Sequence, residues 1–170
     1  MNLKWLGAMC VIVGCGSCGF LMASQYLANL RQFRHLITVL DYMRCELQYR
    51  CTPLPQLCRQ SSEQVTGKVK QVFSCLADEL DAQISPDVQR CMASVLDRQN
   101  TLEDSMRSIL LGLGSNLGKF DMEGQLRSLE HARALCSEKL SQLCQGKEAR
   151  VRSYQTLGLC AGAALAILFV

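Results

Sequence analysis

The chain has 170 residues, of which 49% are hydrophobic and 19% charged, and its formal net charge is +3. The length suits one domain of ordinary size, and so low a charge fraction suits a small membrane-attached protein better than a soluble enzyme. Of the 18 basic residues only Lys4 precedes the first apolar run, leaving 17 basic against 15 acidic groups. With no Lys/Arg cluster interleaved with aromatics, that balance excludes a nucleic-acid footprint.

The chain is apolar at both ends and charged in between. No charged residue occurs from Trp5 to Leu30, and none from Gln155 to Val170. The run Trp5 to Ala23 has 19 residues, which at helical rise spans about 29 Å, close to the hydrocarbon thickness of a bilayer. Thr156 to Val170 has 15 residues and reaches about 22 Å, enough to cross where the bilayer thins locally. The expected division is therefore a transmembrane helix over 1–25, a helical-bundle domain over 26–153 and a second transmembrane helix over 154–170.

Basic residues set the orientation. Arg31, Arg34, Lys147, Arg150 and Arg152 flank the spans on the inner side, whereas only Lys4 lies on the other. The positive-inside rule then places the middle domain in the cytoplasm. Two rival readings of the first run would put it outside. A cleaved signal peptide wants a shorter apolar stretch and a small-x-small site, which Leu21-Met22-Ala23 fits poorly. A lipobox at Ile12-Val13-Gly14-Cys15 is followed by eight further apolar positions that a lipidated terminus does not need.

Between the runs everything reads as helix. Leu27, Leu30, Phe33, Ile37, Leu40, Met43 and Leu47 recur every three or four residues, predicting a helix continuous with the first span to about Arg50. Thr52-Pro53 restarts the chain, with Thr52 as N-cap and Pro53 at the first helical position. The next helix enters near Gly67 and buries Val69, Val72, Phe73, Leu76 and Leu80. Beside that stripe, Asp78, Glu79 and Asp81 read as a solvated acidic face. Ser85-Pro86 is the next predicted cap, opening a helix through Val88, Met92 and Val95. Thr101 with Asp104 is a variant capping box, followed by Leu102, Met106, Ile109 and Leu113. Gly112, Gly114 and Gly118 are expected to break that helix. Asp121 caps the last helix, whose stripe is Leu126, Leu129, Ala132, Cys136, Leu140 and Leu143. The fold class is all-α: a helical bundle framed by two long antiparallel helices continuous with the terminal spans.

The chain has 11 cysteines without the paired spacing of a zinc site. The one C-x-x-C, Cys15 to Cys18, lies inside the first span, where no βαβ pattern makes it a redox motif. Cysteine as a small hydrophobe in a reducing cytoplasm accounts for them. His35 and His131 have no ligand set one turn away, and no P-loop is present. No catalytic residue, metal ligand, cofactor or nucleic-acid partner is expected, and the chain reads as non-enzymatic. In the second span Gly158, Gly162 and Ala166 recur every fourth residue, as do Cys15, Gly19 and Ala23 in the first. Such small-residue faces let helix backbones approach closely, so the spans would pack together, on a second copy as a homo-oligomer, or on partner spans.

Three segments carry a resemblance. They are Thr52-Pro53-Leu54-Pro55 after the long first helix; Leu113 to Asp121 (LGSNLGKFD) with Gln125 one turn later; and Tyr154-x-x-Leu157-Gly158 leading into the last run. In this order and spacing, over essentially the whole chain, they resemble the stage III sporulation protein AB family of endospore-forming bacteria. Phe120 departs from the family pattern, where the residue before Asp121 is more often small and polar. The resemblance implies a mother-cell protein of the assembly that links mother cell and forespore, held in the outer forespore membrane. It also implies a helical domain similar to the cytoplasmic domain of the type II secretion platform protein, the F component. By that analogy the domain is a scaffold that docks the assembly's ATPase, component AA, beside other stage III components. Thr52, Pro53, Leu54, Pro55, Leu117, Gly118, Asp121 and Gln125 are the family-motif residues; as turn segments they are candidates for partner binding, the other reading being that their Gly, Pro and Asp serve only chain reversal and capping. The alternative is a platform subunit of a type II secretion or pilus-type system, which ordinarily carries a duplicated domain and a further span.

Overall fold

The computed structural model describes residues 2–50, 52–82, 87–99, 102–119, 121–145, 156 and 160, and in the first helix the side chains of Leu21 and of residues from Ser24 onward. The described residues are all helical or in turns. The elements are α1 (Asn2–Arg50), α2 (Leu54–Glu63), α3 (Lys68–Asp81), α4 (Val88–Arg98), α5 (Asp104–Asn116) and α6 (Met122–Gln145). No proline interrupts α1, and it ends just before Thr52-Pro53, where the proline ring disfavours a helical conformation of the preceding residue. Among the described residues no helix is long and apolar enough to cross a membrane. The side chains of the first apolar run, and the second run except Thr156 and Cys160, lie outside them. So do Gly158, Gly162 and Ala166.

The chain divides into two compact units, Met1–Leu30 with Gln142–Val170, and Arg31–Ser141. In the first, the Tyr26 hydroxyl donates to the Leu143 carbonyl at 2.5 Å. The second holds the main core. Phe33, Leu36, Val39, Leu40, Met43 and Leu47 of α1 are buried there, and Leu129, Ala132 and Cys136 supply the inner stripe of α6. The expected stripes are therefore present, although Ile37, Leu126 and Leu140 are only half-buried. Two ion pairs record how α1 and α6 run: Arg133 meets Asp41 at 2.6 Å and Arg44 meets Glu130 at 3.2 Å. As the number rises on one helix it falls by the same step on the other, so within this unit the two helices are antiparallel.

The remaining helices pack as close pairs, and small residues set the distances. On α2 the buried positions Cys58, Ser61 and Ser62 are small, and each serine returns its hydroxyl proton to a carbonyl one turn back, Cys58 and Arg59 respectively. That satisfies the polar group inside the helix and lets α3 approach with Val69, Val72, Phe73, Leu76 and Ala77. Arg59 closes the pair from outside, reaching Asp78 at 3.0 Å and Asp81 at 2.5 Å. Between α4 and α5 the contact is Gly114, where an added Cβ would stand 2.9 Å from Met92 Cβ. The Arg107 side chain spans the same pair, donating to the Leu96 carbonyl at 2.9 Å and pairing with Asp97.

Several local expectations change. Gly112 and Gly114 do not break α5, because both sit inside it; the chain leaves the helix at the extended Leu117, φ −65° and ψ 132°, and turns at Gly118, φ +78°. Pro53, not Thr52, holds the N-cap position of α2 without a side-chain cap, since the Thr52 hydroxyl donates to Glu46 instead. Asp87 caps α4, accepting from the Gln89 N–H at 3.2 Å, while Ser85 and Pro86 lie outside the described residues. Thr101 also lies outside them, and α5 starts at Asp104 after Glu103. Glu79 does not belong to a solvated face. It is 6% exposed, accepts from Ser94 Oγ at 3.1 Å and pairs with Arg98 at 3.2 Å. The helical wheel that buries Leu76 carries Glu79 inward three residues later, and α4 supplies the donors that make its burial tolerable.

Candidate partner-binding site

The two motif turns of the bundle meet at one end of it. After Leu117 has left the helix in an extended conformation, Gly118 turns the chain with a positive φ that an L side chain adopts only at a cost. It also has neighbours: a Cβ there would lie 3.1 Å from Val88 Cγ2 and 3.9 Å from Leu54 Cδ2. Leu54 is the first residue of α2, held by the preceding turn in which the Leu57 N–H donates to the Pro53 carbonyl at 2.9 Å. The chain then passes Asp121, whose carboxylate accepts from the Gly124 N–H at 3.2 Å and caps α6 as anticipated. Leu117 is fully buried beneath this turn.

Around Gly118 these elements enclose a cleft of about 340 Å³ lined by Leu47, Thr52, Leu54, Gly118, Met122 and Gln125. Of the motif residues, Thr52, Leu54, Gly118 and Gln125 are thus brought together. Pro53 and Pro55 shape the turn without lining the cleft, and Leu117 supports it from below. Asp121 faces elsewhere, into a polar recess of about 490 Å³ with Asn116, Glu123, Gly124, Arg127, Ser128 and His131. Leu47 and Met122 were not singled out from the sequence as site residues. Leu47 reads only as the last member of the α1 core stripe. Met122 is an exposed methionine at 42%, and its apolar character next to a helix cap is the signal that was available.

The electrostatics of the cleft are modest. The Glu46 carboxylate at its edge is engaged by Thr52 at 3.3 Å and by Arg50 at 3.6 Å. Lys119 lies 3.3 Å from Asp87 and 3.4 Å from the Gln89 side-chain oxygen. The charges near the cleft are therefore paired with one another, leaving an apolar floor and a polar rim. Among the described residues no group of three His, Cys, Asp or Glu side chains is placed to hold a metal ion. Cys58 and Cys136 are buried, and burial pushes both thiols up to about 12, so they stay protonated and unreactive. Such a site offers shape, exposed apolar area and a rigid turn, the properties of a docking surface.

Comparison with known proteins agrees with the sequence motifs. The family model of stage III sporulation protein AB matches residues 4–170. The chain is similar to stage III sporulation protein AB of Bacillus subtilis (strain 168), with 28% identity over 171 residues and 99% of each chain covered. A solved structure of stage III sporulation protein AB superposes with a TM-score of 0.62 at 24% identity, covering 72% of this chain and 98% of that one. That likeness shows the helical fold is shared.

Proposed function

This chain belongs to the stage III sporulation protein AB family, and on that premise we propose that it is a non-enzymatic membrane scaffold. It serves the secretion-like channel between mother cell and forespore. The terminal apolar runs anchor it in the outer forespore membrane, and the bundle between them lies in the mother-cell cytoplasm. There the bundle docks the assembly's ATPase, component AA, much as the similar domain of a type II secretion platform protein is coupled to its own ATPase.

One observation carries the reading. Two turns far apart in sequence, each part of a family motif, are folded against each other through Leu54 and Gly118 and enclose a single apolar cleft. Chain reversal alone needs neither their contact nor an exposed Met122 beside it.

The experiment is a gentle-detergent pull-down of the full chain from sporulating cells, with partners identified by mass spectrometry, repeated with Met122→Glu. Met122 is 42% exposed, so the substitution leaves the core intact while placing a charge in the cleft. The expected result is recovery of an ATPase and other forespore-channel membrane proteins with the unmodified chain. With Met122→Glu the ATPase falls about tenfold or more, the loss typical of a charge placed in an apolar contact. Recovery of pilus or secretion proteins instead would favour the platform-subunit alternative. Absence of the protein from sporulating cells would overturn the sporulation reading.

A further inference from the structure

Two arginines differ from their neighbours. On α1 and α6 the other described arginines each meet a carboxylate: Arg44 with Glu130, Arg50 with Glu46, Arg127 with Glu123, and Arg133 with Asp41. Arg31 and Arg34 are exposed, and no carboxylate among the described residues pairs with either. The register that joins Asp41 to Arg133 and Arg44 to Glu130 sets Leu140 opposite Arg34, and the nearest acid on that stretch of α6, Glu138, is already engaged.

Their placement is directional. Residues three apart on a helix share a face, so Arg31 and Arg34 form one doubly charged patch. Helical side chains lean toward the helix N-terminus, here toward the uncharged stretch that ends at Leu30. A guanidinium presents its donors in a fork that matches phosphate oxygens, and its stem tolerates an apolar surface. Unpaired surface arginines occur elsewhere, as at Arg90 of α4; what distinguishes Arg31 and Arg34 is that the two share a face beside the uncharged run and that no carboxylate among the described residues holds them. In the sequence, Lys147, Arg150 and Arg152 lead into the second apolar run and add basic charge before it.

We propose that Arg31 and Arg34 together bind the phosphate of an acidic phospholipid headgroup, holding the bundle at a defined height on an anionic leaflet. The proposal rests on the reading that Trp5 to Ala23 crosses the membrane. Each arginine near an anionic surface is worth about fivefold in binding, so the pair supplies about 25-fold at physiological salt, less as salt is raised.

The test uses the full chain in uncharged detergent. Native mass spectrometry measures retention of phosphatidylglycerol against phosphatidylcholine, and flotation with pure phosphatidylcholine vesicles reads insertion separately. The variants are Arg31→Gln with Arg34→Gln, and as a control Arg90→Gln, which alters another exposed arginine, on α4. The unmodified chain and the control are expected to prefer phosphatidylglycerol by about 25-fold or more. The double variant should lose about 25-fold of that preference while floating normally and melting at the same temperature. Equal retention of both lipids, or an unchanged preference in the double variant, overturns the proposal. Displacement of the lipid by millimolar inorganic phosphate overturns it in favour of a free-phosphate site. Failure to float with neutral vesicles overturns the membrane reading itself, and this proposal with it.

Discussion

Leu54 Cδ2 stands 3.9 Å from the place that a Cβ on Gly118 would occupy. The turn that opens α2 and the turn that closes α5 are therefore one packed unit. An added methyl would meet Leu54 at an ordinary contact distance and Val88 Cγ2 at a tight 3.1 Å. Glycine is therefore asked for by the φ of +78° and by the α4 side of the turn, while Leu54 closes on it from the other.

Gly118→Ala should destabilise the bundle through both backbone and packing. Its φ of +78° costs an L residue about 1–2 kcal/mol, and the added methyl meets Val88 Cγ2 at 3.1 Å. Gly67 combines φ +77° with ψ −147°, a region essentially confined to glycine, but nothing lies within 4 Å of an added methyl there, so Gly67→Ala should destabilise through its backbone alone. Thermal unfolding of each variant in one detergent checks this; a loss at Gly118 no larger than about 1–2 kcal/mol would mean that the close packing around it yields freely.

Within α5 two alanine substitutions are expected to have opposite signs. Gly112 is exposed with open space around it, so Gly112→Ala should stabilise by about 1 kcal/mol through helix propensity. A methyl added at Gly114 would stand 2.9 Å from Met92 Cβ, and overpacking there should cost about 1–3 kcal/mol despite the same propensity gain. Denaturant midpoints of the two variants give the sign directly.

Glu79 links α3 to α4 from a buried position, through Ser94 and Arg98. Glu79→Ala should cost about 1–3 kcal/mol, because it opens space in the interface and leaves the Ser94 hydroxyl without its acceptor. Arg98→Ala should cost less than Glu79→Ala if Ser94 and water suffice for the carboxylate, since the Arg98 side chain is 72% exposed. A double-mutant cycle on these two residues measures the coupling, expected at about 1 kcal/mol or below.

The buried thiols give a pH dependence with a defined sign. Cys58 and Cys136 are pushed up to about 12 by burial, against about 8.5 in an unfolded chain. Between those values the unfolded chain loses these protons and the folded one keeps them, so stability is full below about pH 8.5 and falls as pH rises toward 12. At pH 10 the loss is about 2 kcal/mol per thiol. Replacing both cysteines with alanine should lower the absolute stability and flatten that slope. In the native protein a thiol reagent at pH 8 should modify Cys45, Cys75 and Cys144, which are exposed, before Cys58, Cys91 and Cys136, as peptide mass mapping will show.

The helices were legible because each signals itself locally. The stripe Phe33, Leu40, Met43 and Leu47 repeats at helical spacing and is buried as a unit, and Asp121 caps α6 through a contact three residues away. Errors arose where two helices decide jointly. Gly114 reads as a breaker in isolation and is instead the point at which α5 meets Met92 of α4. Glu79 reads as solvated beside Asp78 and is buried because α4 brings Ser94 and Arg98 to it. The site divides the same way. Its turn residues were named from their motifs, but Leu47 and Met122, which complete the cleft, belong to no turn motif and join it only through packing.

By itself the sequence determined the helical class, the two uncharged terminal runs and the family, since composition, periodicity and motif order are properties of the chain as written. Only the tertiary structure decided that the Thr52–Pro55 and Gly118 turns share one cleft, that Glu79 lies inside, and that Arg31 and Arg34 pair with no carboxylate among the described residues. Each of these depends on which surfaces meet across long stretches of chain. Complementary volume and charge select those meetings, and a periodicity of three and four residues does not encode them.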